Sequence, residues 1–354
     1  MHHVKPPISS VPVELAVAPG LADLALNELR EIARRSGLPI PAAVMSDDAV
    51  ALDWPGEVRS LHALRTVQYV SRVWRFEVPR PKALLGDAAL RELSEGLVEL
   101  SAAGEAGFSG LRLSAAGRDS SVMQRLALAL AESTGLPLRE DGDLLVRVRP
   151  GAASGWEVLA RTTPRPLSVR AWRVCDRPGG LDAGVAAALV RWAGVRDEER
   201  VCNPMLGSGT LLIERAVAGP AACLHGFDVD PEALRCAERN ASAAAVLARL
   251  RLWQGDATEV APEHERYHLL LVDPPWGDAV GDPQANAALY AGLLRASARR
   301  CLSGGRMVLV TQEVRLIERL LSERSGWVVR QQRRVWHGGH RPVCLLLERL
   351  PLAV

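Results

Sequence analysis

Four short stretches of this sequence contain residues from which a reaction could be built. The segment NPMLGSGT, Asn203 to Thr210, places glycines between an apolar strand-like run and an apolar helix-like run. Glycines let a backbone approach a ligand closely, and the helix start that follows offers unpaired amides to an anion or a carboxylate. Asn203, Pro204, Gly207, Ser208, Gly209 and Thr210 are therefore candidate cofactor contacts. Further on, HGFDVDP holds two acids with different roles. Asp230 directly precedes Pro231, as a helix N-cap does, whereas Asp228 lies two residues early for a cap and is placed to take both hydroxyls of a ribose. In WQGDA, Asp256 and Ala257 follow a third apolar run. Asp256 is either an ordinary turn acid or one more ligand contact at the same edge.

The fourth stretch is LLLVDPPWGD, residues 269–278. Proline has no amide hydrogen to donate and fixes its turn, so the Pro274 carbonyl can face outward beside the Asp273 carboxylate. Two neighbouring acceptors suit one amino group with two hydrogens. Trp276 could then stack on the ring that bears the amine, as aromatic side chains do with extruded bases. Asp273, Pro274, Pro275 and Trp276 are the candidate catalytic residues; a plain strand-ending turn with a buried tryptophan is the alternative. The glycine loop has no lysine, which excludes a P-loop, and it lacks the G-x-G-x-x-G spacing of a dinucleotide fold.

Such residues converge only if one scaffold brings their strand ends together. From Leu181 onward, helical stretches alternate with the apolar runs ERVCNP, LHGFD, RLWQGD, YHLLLVD and GRMVLVT, the pattern of a parallel sheet wrapped by helices. Ligands of these sheets bind at the carboxyl ends of the strands. WVVRQQRRVW and VCLLLERL have no helix between them and should form an antiparallel edge. Upstream, VELAV, a periodic stretch from Leu21 to Ile32, AVALDW and VSRVWRFEV suggest a small α+β unit that breaks at Pro79 to Pro81. A second unit follows, with LRLS, a helix marked by Val122, Leu126 and Leu130, and the strands LLVRVR and WEVLA. The segment RTTPRPLSVRAWRVCDRPGG reads as a linker.

The 354 residues allow two or three domains, and the net charge is +2, with nearly all the positive charge on arginine, since Lys5 and Lys82 are the only lysines. Arginine suits bidentate contact with phosphate. The six cysteines form no C-x-x-C pair, so neither a disulfide framework nor a zinc or other metal site is expected. His337 and His340 in WHGGHRP fit a hairpin loop better than a metal pair. No apolar run is long enough for a membrane span and the first residues do not resemble a signal peptide, so a cytoplasmic location is expected.

Taken together, NPMLGSGT, Asp228, Asp256 and DPPW resemble the successive motifs of class I S-adenosylmethionine-dependent methyltransferases of the amino-methylating type, over Leu181 to about Leu350. VELAVAPGLADLALNEL resembles the small N-terminal domain, and FSGLRL through LSVRAWR resembles the THUMP module, of enzymes that make N2-methylguanosine in tRNA. The likeness is greatest to those acting on guanosine 6 of the acceptor stem. It implies an α/β chain: a Rossmann-like class I methyltransferase domain, a parallel sheet with an antiparallel C-terminal edge, preceded by α+β ferredoxin-like and THUMP domains. The expected divisions are 1–80 ferredoxin-like, 81–170 THUMP, 171–180 linker and 181–354 methyltransferase. Asn203 stands where the family often has Asp, Leu206 where it often has Cys, and a family proline before the first strand of the sheet is replaced by Gly184 or missing.

What the resemblance implies is a monomeric enzyme with S-adenosyl-L-methionine as cofactor and tRNA as partner. Arg147, Arg149, Arg170, Arg330, Arg333, Arg334 and Arg341 would hold phosphates, each having a merely solvated basic face as its alternative. Three rival functions are a ribosomal RNA guanine-N2 methyltransferase, an adenine-N6 DNA methyltransferase, and a non-catalytic RNA-binding protein with a degenerate methyltransferase domain.

Overall fold

A computed structural model describes residues 10–102, 107–152, 154–259, 266–275, 283–323, 325–336 and 338–351. The chain forms two compact units: one from the residues up to Val17 together with Ala25–Ser168, the other from Ala18–Leu24 together with the residues from Val169 onward.

The first unit holds β1 (Val11–Ala16), α1 (Ala22–Arg35), β2 (Ala43–Met45), β3 (Ala49–Trp54), β4 (Tyr69–Phe76), α2 (Asp87–Ala102), β5 (Leu111–Ala115), α3 (Ser121–Thr134), β6 (Leu144–Pro150) and β7 (Trp156–Arg161). Its strands make one seven-stranded sheet in the order β2-β3-β1-β4-β7-β6-β5. All its pairs are antiparallel except β5 with β6. The expected boundary at 80 falls inside this unit, because β4 pairs with β7 across it. Alternation sorts the strand residues: Val146, Val148, Val158 and Ala160 join Leu93 and Leu97 of α2 and Leu126 and Leu130 of α3 in one core. The residues between them in sequence, Arg147 and Leu159, point to the opposite face and pair with each other in register.

The second unit holds α4 (Ala183–Ala193), β8 (Arg200–Asn203), α5 (Thr210–Ala218), β9 (Cys223–Asp228), α6 (Pro231–Ala243), β10 (Leu250–Gln254), β11 (Tyr267–Val272), α7 (Pro283–Arg300), β12 (Cys301–Thr311), α8 (Val314–Ser322), β13 (Trp327–Arg334) and β14 (Val343–Arg349). Its sheet runs β10-β9-β8-β11-β12-β14-β13. The five strands from β10 to β12 are parallel, and β14 enters antiparallel between β12 and β13. The apolar run of β11 reflects burial on both faces. Leu269 and Leu271 pack with Val201, Val308 and Leu346, while Leu270 and Val272 pack with Cys202, Met307 and Leu345. Burying each such side chain stabilises the fold by about 1.5–3 kcal/mol.

The expected absence of any disulfide is corrected here, because Cys175 and Cys236 are bonded, with Cα atoms 5.4 Å apart. Cys175 lies in the irregular segment ahead of α4 and Cys236 lies inside α6, so only the fold brings them together. No helix among the described residues is long and apolar enough to cross a membrane.

Candidate active site

Parallel pairing puts the carboxyl ends of β8, β9, β10 and β11 at one edge of the second sheet, and the four stretches with chemical potential follow those ends. The loop after β8 starts at Asn203, which is buried and accepts the Met205 amide at 3.3 Å through Oδ1. Pro204 is also buried. Leu206 donates its amide to the Phe227 carbonyl at 3.0 Å, and Gly207 donates to Asp228 Oδ2 at 2.8 Å. Gly207 has φ of +54° and open space where a side chain would begin, so a ligand can approach its backbone. Gly209, at φ +82°, caps α5 without a side chain; a Cβ there would lie 3.1 Å from that of Ala237 on α6. Ser208 and Thr210, both buried, share a hydroxyl hydrogen bond of 3.1 Å.

The two acids of HGFDVDP separate as their positions suggest. Asp230 caps α6 by accepting the Glu232 amide at 2.8 Å, ahead of Pro231. Asp228 Oδ1 accepts the Asp230 amide at 3.0 Å while Oδ2 takes Gly207. A carboxylate has about four lone-pair sites, so two amides fix its orientation and leave capacity for two hydroxyls. Next along the edge, Gly255 donates to the Asp228 carbonyl at 3.0 Å, tying the β10 loop to the end of β9. Asp256 is exposed and accepts the Thr258 amide and hydroxyl, each at 2.7 Å, both through Oδ1. Buried Ala257 presents its carbonyl to Arg300 at 2.8 Å.

Asp273 and Pro274 follow β11 directly; Asp273 is half-buried, Pro274 buried and Pro275 exposed. Trp276 and His337 lie outside the described residues. Behind Asp273 stands Tyr290, whose hydroxyl meets Thr311 at 2.8 Å. Burial, together with the charges of Glu313 and Asp273, raises that hydroxyl well above the ordinary tyrosine range. Burial and the same Asp273 charge push the Cys344 thiol up to about 12. No group of three potential metal ligands occurs among the described residues.

Sequence reading missed Arg300. It is buried at the end of α7, lies over the Phe227 ring at 4.9 Å and holds the Ala257 carbonyl. Phe227 in turn stacks on Trp253 at 5.1 Å. A cation in a last helical turn looks like an ordinary dipole partner, so nothing local in the sequence marks its inward direction.

The expected phosphate-binding arginines divide sharply. Arg147 is exposed, as are Arg334 and Arg341, the last over the Trp336 ring at 5.6 Å. Three expectations are corrected. Arg170 is buried against Glu214 at 2.9 Å and cannot reach a phosphate. Arg149 is taken up by Glu14 and Glu157. Arg333 is taken up by Asp23 at 3.0 Å and by the Gly20 carbonyl at 3.1 Å. Arg330 is exposed but paired with Glu348 at 2.9 Å. Arg112 and Arg161, which sequence reading left out, fall on the same sheet face as Arg147 by register. Arg161 lies 3.6 Å over the Tyr69 ring, and burial with the nearby Arg112 and Arg147 charges lowers its pKa.

An RMKL-like, methyltransferase domain model matches residues 170–343. The tRNA (guanine(6)-N2)-methyltransferase of Thermus thermophilus is 29% identical over 352 residues, covering 96% of this chain and 99% of the relative. The enzyme of the same name from Archaeoglobus fulgidus is 29% identical over 223 residues, 56% of each chain. The crystal structure of TrmN from Thermus thermophilus superposes with a TM-score of 0.75 at 24% identity, covering 96% of this chain and all of the other. The similarity runs through both units, and the sheet whose strand ends carry the glycine loop, Asp228 and Asp273 lies within the residues matched by the methyltransferase domain model.

Proposed function

We propose that this enzyme transfers a methyl group from S-adenosylmethionine to the exocyclic N2 amine of a guanosine in tRNA, at position 6 of the acceptor stem. The observation that carries the reading is the alignment of four parallel strand ends carrying the glycine loop, Asp228, Asp256 and Asp273-Pro274. Near-full-length similarity to a tRNA (guanine(6)-N2)-methyltransferase supports the choice of substrate.

S-adenosylmethionine supplies a methyl group activated by its sulfonium. In this reading the Asp228 carboxylate would take the ribose hydroxyls, the glycine loop would hold the methionyl part, and Asp256 would accept from the adenine amine. Asp273 and the Pro274 carbonyl accept the two N–H groups of the guanine amine. That grip would orient the amine and favour the positive charge that develops on its nitrogen as it accepts the methyl group the cofactor would supply. One amine proton then leaves. The methylated amine is acidic, so no strong base is needed. The base must leave its duplex to bring its amine to Asp273 and Pro274.

Exposed Arg147, Arg334 and Arg341, with half-buried Arg161, hold phosphates, with residues 81–170 as the RNA-binding THUMP module. The enzyme acts as a monomer in the cytoplasm. The test is transfer of labelled methyl to unmodified total tRNA and, separately, to ribosomal RNA and DNA, with nucleoside analysis. N2-methylguanosine in tRNA is expected, and it should vanish in Asp273→Ala while cofactor binding persists. Methyladenine, or product in ribosomal RNA alone, would refute the proposal.

A further inference from the structure

Beside the glycine loop lies a buried side chain that takes no part in the steps above. Asn240, on α6, is fully buried and uses both its donor and acceptor groups. Its Nδ2 donates to the Ser208 carbonyl at 2.9 Å and to the Cys175 carbonyl at 2.9 Å, and its Oδ1 accepts the Cys175 amide at 2.9 Å. One amide group thus joins the loop after β8 to the segment ahead of α4. One helical turn back on α6, Cys236 makes the disulfide to Cys175 itself. Ala237, between the two, is the residue against which Gly209 closes. Cys236, Ala237 and Asn240 therefore present one face of α6 to the cofactor loop and the segment around Cys175.

We propose that Asn240 is a positioning residue for the cofactor loop and that the Cys175–Cys236 disulfide holds it in register, so that cofactor affinity depends on the redox state of this pair. The inference rests on the reading that the loop after β8 holds S-adenosylmethionine. The Ser208 carbonyl sits next to Gly207, whose amide orients Asp228; an unanchored Ser208 lets that amide leave the carboxylate. Reduction by a dithiol adds two electrons and two protons, cleaves the S–S bond to two thiols and turns the dithiol into its own disulfide. The segment around Cys175 is then tied to α6 by the Asn240 hydrogen bonds and by the ion pair of Arg177 with the N-cap Asp230.

The experiment measures cofactor Kd by calorimetry, and KM and kcat with tRNA, on the full chain. Wild type with and without dithiothreitol is compared with Asn240→Ala, Cys175→Ser and Asp228→Ala. Loss of a net hydrogen bond to the loop should raise Kd and KM for the cofactor about tenfold in Asn240→Ala. kcat at saturating cofactor and KM for tRNA should hold, whereas a purely structural role would lower the active fraction and leave cofactor KM alone. Dithiothreitol should weaken wild-type binding several-fold, by no more than Asn240→Ala does, and should not change Cys175→Ser. A wild-type Kd in folded Asn240→Ala, or no response of the wild type to dithiothreitol, overturns the proposal; the reductant comparison needs no substitution that could unfold the protein. If Asp228→Ala also binds normally, the placement of the cofactor at this edge is what fails.

Discussion

Replacing Asp228 by Asn tests the cofactor edge at its most connected residue. The two side chains have nearly the same shape, but in Asn an NH2 group replaces one carboxylate oxygen. Asp228 accepts the Gly207 amide at 2.8 Å and the Asp230 amide at 3.0 Å on different oxygens. Whichever way Asn turns, one of these amides faces a donor. A hydrogen bond to a charged acceptor contributes about 1.5–3 kcal/mol. At about 1.4 kcal/mol per factor of ten, losing one such bond corresponds to roughly 10- to 150-fold in affinity. The loss falls on the cofactor because Gly207 lies in the loop that approaches it and because the ribose hydroxyls lose half of their acceptor. Calorimetric titration of Asp228→Asn with S-adenosylmethionine, with thermal melting to confirm the fold, reads the effect directly. A Kd within about twofold of wild type, in a protein that melts normally, would refute the assignment.

Other predictions follow from the same geometry. Arg170→Ala strands the buried Glu214 carboxylate and should cost about 3–5 kcal/mol of stability, read by denaturant titration; an unchanged midpoint would return Arg170 to the list of possible phosphate contacts. Arg147→Ala and Arg334→Ala should each reduce the slope of log K for tRNA binding against log salt by about 1 and leave stability near wild type, so unaltered slopes would make those arginines solvated surface only. His62 is kept below its ordinary 6.5 by burial and by the Arg59 charge. Below that pH the unfolded chain binds the proton more readily than the native one, so His62 contributes stability above about 6.5 that is lost as pH falls through its lowered native pKa. The acid-side fall in the melting temperature should therefore diminish in His62→Gln, and an identical pH profile would contradict it.

How far the sequence revealed this arrangement depended on whether each signal was local. The parallel strands could be read because burial on both faces leaves continuous apolar runs, as in Leu269 to Val272. Asp230 and Asp228 could be told apart because a cap is defined within a few residues of its helix. β2, three residues at the sheet edge with Val44 exposed, has no buried face to impose alternation. In α2, Leu93, Leu97 and Leu100 keep helical spacing, but alanine, serine and glycine between them dilute the pattern. The arginines were misjudged for a different reason. Their charge is visible in sequence, but a partner such as Glu214 for Arg170, or Glu14 for Arg149, is supplied only by tertiary structure. The same holds for the disulfide, whose cysteines stand 61 residues apart.

The place of β14 in the second sheet has a consequence for how the chain is made. Among the described residues, β13 pairs with β14 alone, and β12 gains its second neighbour only from β14. On the ribosome, β13 therefore emerges before any strand it can join, and the core around Leu345 and Leu347 stays open until residues 343–349 are free. The strands of the first unit are all present by Arg161. Synthesis thus gives the two halves different schedules: the amino-terminal sheet can assemble during translation, while the methyltransferase sheet waits for its interior strand, an interval in which premature release or truncation within β14 leaves an unpaired apolar edge exposed to aggregation.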